Sequence, residues 1–153
     1  MYRRILVPVD GSTTSNCALQ EAIKLAQQHH AQLELVHVFE DILYWVDENY
    51  INYADLQETV RESSEKILID AQALVQQGGL ATGIKLLEAK GQRIANVIVA
   101  EAERWQADLI VIGTHGRTGF SRLLLGSVAE GVVRTAAIPV LLIRGHSHGS
   151  ETK

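Results

Sequence analysis

The sequence predicts an α/β fold, a Rossmann-like three-layer sandwich in which a parallel sheet lies between two layers of helices. Strand-like and helix-like hydrophobic patterns alternate along the chain, and several strand patterns are apolar on both faces, as strands covered on both sides must be. The length, 153 residues, is enough for one core and too short for two.

Arg4 to Val9 is a short, β-branched apolar run closed by the turn formers Asp10-Gly11-Ser12, and reads as the first strand. From Thr13 to about His30, the positions Ala18, Leu19, Ala22, Ile23, Leu25 and Ala26 recur at helical spacing, and Ser12 can cap this first helix. Gln32 to Phe39 alternates and then turns wholly apolar, as a buried second strand does. Residues 40–53 mix Tyr44, Trp45, Tyr50 and Tyr53 with acids and Asn without a period; they read as a loop or short irregular helix, a lid or a partner surface. Leu56, Val60, Ile67, Ala71, Leu74 and Val75 mark a long second helix stopped by Gly78-Gly79. Ile84 to Ala89 is the third strand, and a third helix runs from about Arg93 to Trp105 with Ile94, Val97, Ile98, Ala102 and Trp105 aligned. Asp108 to Ile112 makes a fully apolar fourth strand, Ser127 to Ala136 a fourth helix and Pro139 to Ile143 a fifth strand. One domain over 1–144 and a flexible polar tail over 145–153 are expected.

The bulk properties exclude several function classes. A net charge of −4 with scattered basic residues lacks the footprint of a nucleic-acid binder. No apolar stretch is long enough to span a bilayer, and the first apolar run is too short for a signal peptide, so a cytoplasmic protein is expected. The single cysteine, Cys17, falls in the apolar pattern of the first helix, where an unreactive buried thiol would sit.

In an open parallel sheet, ligands bind beyond the carboxyl ends of the strands, near the point where strand order reverses. Two such ends are polar here: Pro8-Val9-Asp10-Gly11-Ser12 after the first strand, and Gly113-Thr114-His115-Gly116-Arg117-Thr118-Gly119 after the fourth. The glycines of the second segment let backbone amides approach an anion, and Arg117 with Arg122 suits one small anion better than a polymer. Further on, Ser127-Val128-Ala129-Glu130 has the capping-box pattern, so Ser127 is expected to open a helix whose free amides seat a phosphate. The Walker pattern and the dinucleotide fingerprint both fail, and on these grounds alone a merely tight glycine turn stays open.

Gly113-x-x-Gly116, nine residues and then Gly126-Ser127 resembles the nucleotide signature of the universal stress protein family. Ile5-Leu-Val-Pro-Val-Asp-Gly-Ser12 and Ile138-Pro-Val-Leu-Leu-Ile-Arg144 resemble its other hallmarks. The likeness runs from Arg4 to Arg144 and, with no signature position missing, points to the ATP-binding branch. It implies a five-stranded sheet in the order 3-2-1-4-5, with ATP, carried with magnesium, across the ends of strands one and four. Asp10 would lie by the ribose and the metal, Pro8 and Val9 on the adenine side, Val38 at the adenine edge and Ile112 beneath it. Gly113, Thr114, His115, Gly116, Arg117, Gly126, Ser127 and Val128 would hold ribose and phosphates. A homodimer is implied through antiparallel contact of strand five, whose Val140, Leu141, Leu142 and Ile143 carry no charge to guard an edge.

Blander readings stand beside these. Asp10 also suits an Asp-Gly turn, His37 a satisfied core histidine and His115 a backbone-only contact, while His146 and His148 make a poor metal site on a loose segment. No catalytic residue is singled out. A nucleotide-binding regulator of the stress response leads; the alternatives are a slow ATPase, or an interaction module binding another adenine nucleotide such as cyclic AMP.

Overall fold

The computed structural model describes residues 1–40, 53–115 and 125–145. Outside these lie Gly116, Arg117 and Arg122, most of the 40–53 segment and the histidines of the tail.

The chain forms β1 (Arg4–Pro8), α1 (Thr13–His29), β2 (Gln32–Phe39), α2 (Tyr53–Gln77), β3 (Thr82–Glu88), α3 (Ile94–Trp105), β4 (Leu109–Gly113), α4 (Ser127–Thr135) and β5 (Val140–Ile143). The strands make one parallel sheet in the order β3-β2-β1-β4-β5, as the family likeness implies. Consecutive strands build outward from β1 on one side, and the chain then crosses to β4 on the other. The order therefore reverses between β1 and β4.

Alternate residues of the inner strands feed two cores. Ile5, Val7, Leu33, Leu35, Leu109 and Val111 pack against α1 and α2, whereas Leu6, Val36, Val38, Ile110 and Ile112 pack against α3 and α4. This double covering explains why the inner strands read as continuous apolar runs. The edge strands are more exposed: β3 starts two residues earlier than its apolar pattern and contains the exposed Ile84.

The helix ends follow their local chemistry. Ser12 caps α1 by accepting from the Ser15 amide at 3.1 Å, and His30 ends it in the left-handed region at φ 55°. Gly79 takes φ 79° after α2, so the Gly-Gly stop signal marks a real left-handed turn. The buried face of α2 is Ser64, Leu68, Ala71 and Val75, with Ile67 and Leu74 half-buried beside it, a slight rotation from the expected stripe. In α3 the buried residues are Ala95, Ile98, Val99, Glu101 and Ala102, leaving Ile94, Val97 and Trp105 at the margin. Cys17 is half-exposed rather than buried, because its position on α1 lies beside the Ala18–Ala22 stripe.

Asp108 stands just outside β4 and fastens it to the start of β1. Its carboxylate accepts from the Arg3 amide at 2.9 Å and the Arg4 amide at 3.1 Å, while its own amide donates to the Arg4 carbonyl at 2.8 Å. Asp108→Ala leaves two strand-end amides without their carboxylate. We expect it to lower the unfolding free energy by about 1–3 kcal/mol, read from urea denaturation.

Candidate functional site

A cavity of about 430 Å³ opens at the carboxyl ends of β1, β2 and β4, at the point where the strand order reverses. Every expected nucleotide-site residue within the described set lines it: Pro8, Val9, Asp10, Val38, Ile112, Gly113, Thr114, His115, Gly126, Ser127 and Val128. Gly116 and Arg117 lie outside the described residues. Ser15, Val36, His37, Glu40, Ile94, Ile98 and Ala129 also line the cavity and were not expected there.

One part of the lining is hydrocarbon. Val9, Val36, Val38, Ile98 and Ile112 are all buried and present branched side chains from three strands and α3. Such a surface suits a flat, weakly polar ring, which gains by leaving water without leaving its own polar atoms unmatched against charge.

The other part is polar and built from loops. The Asp10 Oδ1 accepts from the Ser12 amide at 2.9 Å, and the Asp10 amide donates to Ser15 Oγ at 3.1 Å. The turn role of Asp10 is therefore real, and the residue lines the cavity as well. Across from it, the Thr114 amide donates to the Ile143 carbonyl at 2.9 Å and the Gly126 amide to the Thr114 carbonyl at 2.8 Å. Thr114 Oγ1 and His115 Nδ1 lie 2.9 Å apart. These bonds hold the end of β4 and the start of α4 together as one wall.

Two local expectations change in form. The cap of α4 is Gly126, at φ −63° and ψ 154°, with no side-chain cap bond, so Ser127 is the first helical residue and the capping box is not formed. The reason is the Gly126–Thr114 bond, which fixes the chain one residue earlier. Gly126, Ser127, Val128 and Ala129 at this helix start line the cavity, and no side chain bonds the helix at its cap. The glycines also serve packing. A Cβ at Gly113 would lie 2.8 Å from Thr14 Cγ2 and 3.1 Å from the Thr14 carbonyl, and one at Gly126 would lie 2.9 Å from the Thr114 carbonyl.

His37 is half-buried, and its Nδ1 lies 2.7 Å from the Val9 carbonyl, which can only accept, so that nitrogen carries the hydrogen. It is satisfied, as expected of a core histidine, yet it borders the cavity. Position would have found it: it stands next to Val38 at the carboxyl end of β2, where the sheet topology gathers ligand contacts.

Among the described lining residues the charged groups are the carboxylates Asp10 and Glu40, with no Lys or Arg. Among the described residues no cluster of three His, Cys, Asp or Glu could hold a metal ion. Magnesium commonly binds through one or two carboxylates together with substrate phosphates, and Asp10 fits that donor set.

A doubly wound parallel sheet with a largely apolar cavity at its switch point places the chain among the open-sheet α/β domains. More narrowly, the chain belongs to the universal stress protein family, whose profile matches residues 1–144. A universal stress protein of Methanocaldococcus jannaschii is 33% identical over 144 residues, covering 94% of this chain and 83% of the relative. A crystal structure from the same family in Burkholderia pseudomallei is 35% identical with TM-score 0.75, covering 93% and 96% of the two chains. More distant structures share the fold. One, a universal stress protein in complex with cAMP, is 23% identical with TM-score 0.67, covering 95% and 98%. Another, from Archaeoglobus fulgidus in complex with dAMP, is 24% identical with TM-score 0.65, covering 93% and 98%.

Gly113→Val places side-chain atoms where Thr14 already stands. We expect about 1–3 kcal/mol of destabilisation by urea denaturation, with Gly79→Ala, whose Cβ meets open space, as a comparison limited to backbone strain.

Proposed function

We propose that this chain is an ATP-binding universal stress protein, a nucleotide-dependent regulator that works as a homodimer of one 1–144 domain per chain. The observation that carries the reading is the convergence, on one cavity at the switch point, of the strand-one turn, the end of strand two and the Gly126-Ser127 helix start. Its volume falls in the range of roughly 300–1,000 Å³ usual for small-molecule sites.

In this reading Val9, Val38 and Ile112 enclose the adenine, and the Val38 backbone reads its edge. Asp10 faces the ribose and a magnesium ion whose charge offsets the phosphates. The Gly113–Arg117 segment and the first turn of α4 hold the phosphates through amides and the positive end of the helix. Phosphate charge then meets oriented dipoles, a metal and Arg117.

A second reading, another adenine nucleotide, is favoured by the relatives bound to cAMP and dAMP. What those ligands share with ATP is the adenine base, the part that the hydrocarbon lining suits. Slow hydrolysis is a third possibility, and single-turnover hydrolysis lost on Asp10→Ala would support it.

For dimerisation, β5 is the outer strand of the sheet, Leu141 is exposed on it, and Val133 is exposed on the adjoining α4. An apolar sheet edge of this kind favours pairing with another chain.

The test is calorimetric titration of nucleotide-stripped protein with Mg-ATP, then ADP, AMP and cAMP, alongside light scattering. Saturable Mg-ATP binding near one per chain is expected, and Ser127→Glu, which puts a negative charge on an exposed lining position at the start of α4, should weaken it at least about tenfold while retaining the wild-type circular dichroism. Absence of binding by all four nucleotides would overturn the reading, tighter binding of cAMP than Mg-ATP would select the second, and a monomeric mass would remove the dimer.

A further inference from the structure

Glu34 is an anomaly. It sits in β2, opposite Leu6 of the central strand, and is 7% exposed. Its even-numbered neighbour Val36 packs into the α3 and α4 core, so Glu34 points into the same layer. There it meets Glu101 of α3, 5% exposed, at the Arg104 guanidinium that both carboxyl groups approach.

The cations around this pair are unequally shared. Arg104, on the next turn of α3, donates from Nε to Glu101 Oε1 at 2.8 Å and from Nη2 to Glu101 Oε2. The same Nη2 lies 3.8 Å from Glu34 Oε2, beyond hydrogen-bond range, and Lys85 Nζ of β3 lies 4.0 Å from Glu101 Oε2. Arg4 of β1 is engaged elsewhere, donating to the Trp105 carbonyl at 2.7 Å, and in α4 Arg134 pairs with Glu130. Glu34 Oε1 is buried without a partner among the described residues.

Two buried carboxyl groups gathered at one guanidinium cannot both be ionised without placing like charges close together in a poorly solvated layer. One must supply a hydrogen. Glu101 receives the donors of Arg104 and is the better anion; Glu34 receives none on Oε1 and is the better acid.

We propose that Glu34 and Glu101 form a proton-binding site between β2 and α3: the pair holds one proton, carried on Glu34, and the domain is weakened when that proton leaves. The direction of titration agrees. Burial, then the hydrogen bond and charge of Glu101, push Glu34 up to about 7, against the pull of Arg104 and Lys85. Glu101 is held below its ordinary value, first by the hydrogen bonds of Arg104.

An unfolded Glu34 releases its proton near its ordinary value of 4.5, whereas the folded one keeps it to about 7. Between these values the folded state binds the extra proton, so the contribution of Glu34 is full below 4.5 and is lost as pH rises through about 7. Glu101 has the opposite sign: its contribution is present above 4.5 and is lost only in acid, below this window. The site also adjoins the ligand cavity, since Ile98, one turn before Glu101, and Val36, two residues after Glu34, line it.

The experiment is urea denaturation of the full chain and of Glu34→Gln at several pH values from about 5 to about 8. The unfolding constant of wild type, relative to the variant, should rise with pH by up to about tenfold per unit until about pH 7 and then level off. The remaining side chains are common to both proteins, so their pH dependence cancels in the comparison. Identical pH dependence in the two would overturn the proposal. Because the variant can fail to fold, the side-chain carboxyl carbons of glutamate are also followed by NMR in isotope-labelled wild type. One glutamate titrating between about pH 6 and about pH 8 is expected, and all titrating at or below the ordinary range would overturn the proposal equally.

Discussion

Everything in this domain hangs on the central strand. Ile5, Leu6 and Val7 of β1 have no exposed surface, and their backbone is bonded to β2 on one side and β4 on the other. A strand in that position must be apolar on both faces, and burying each such side chain contributes about 1.5–3 kcal/mol. The same position forces the chain to leave the sheet at its middle. Beyond Pro8, neighbouring strands continue in opposite directions of sequence order, and the space between their connections becomes the cavity. Core and site therefore have one origin.

How much could be read from the sequence follows from this. Continuous apolar runs and three-and-four spacing are imposed by burial over many residues, so strands, helices and their order were legible, and β2 matches its pattern from Gln32 to Phe39. The cavity lining was legible because those residues sit at the strand ends, where an open parallel sheet leaves a crevice. Single-residue features were not. Val99 and Leu68 are buried instead of their expected neighbours Val97 and Ile67, a rotation of the helix that depends on what faces it. The glycines were legible as glycines, yet the space at Gly113 is taken by Thr14, a contact made across about a hundred residues of chain.

Buried charge was the hardest feature to foresee. Glu34 reads as the polar member of an alternating strand, and Glu101 and Arg104 as an ordinary surface pair on a helix at spacing three. Only the crossing of β2 beneath α3 turns them into one group. Had β2 turned by one residue, Glu34 would have pointed into the hydrocarbon core beneath α1 and α2, where Leu33 and Leu35 lie.

The two faces of the sheet consequently differ in kind. On the α1 and α2 side the buried polar groups, Ser15 and Ser64, are uncharged hydroxyls, and packing there is almost entirely hydrocarbon. On the α3 and α4 side the core holds both buried carboxyl groups and borders the cavity through Val36, Val38, Ile98 and Ile112. The first face resists change because a dense apolar layer has few alternative arrangements. The second joins the buried Glu34 and Glu101, the cavity lining and a helix whose start is held by the Gly126–Thr114 bond.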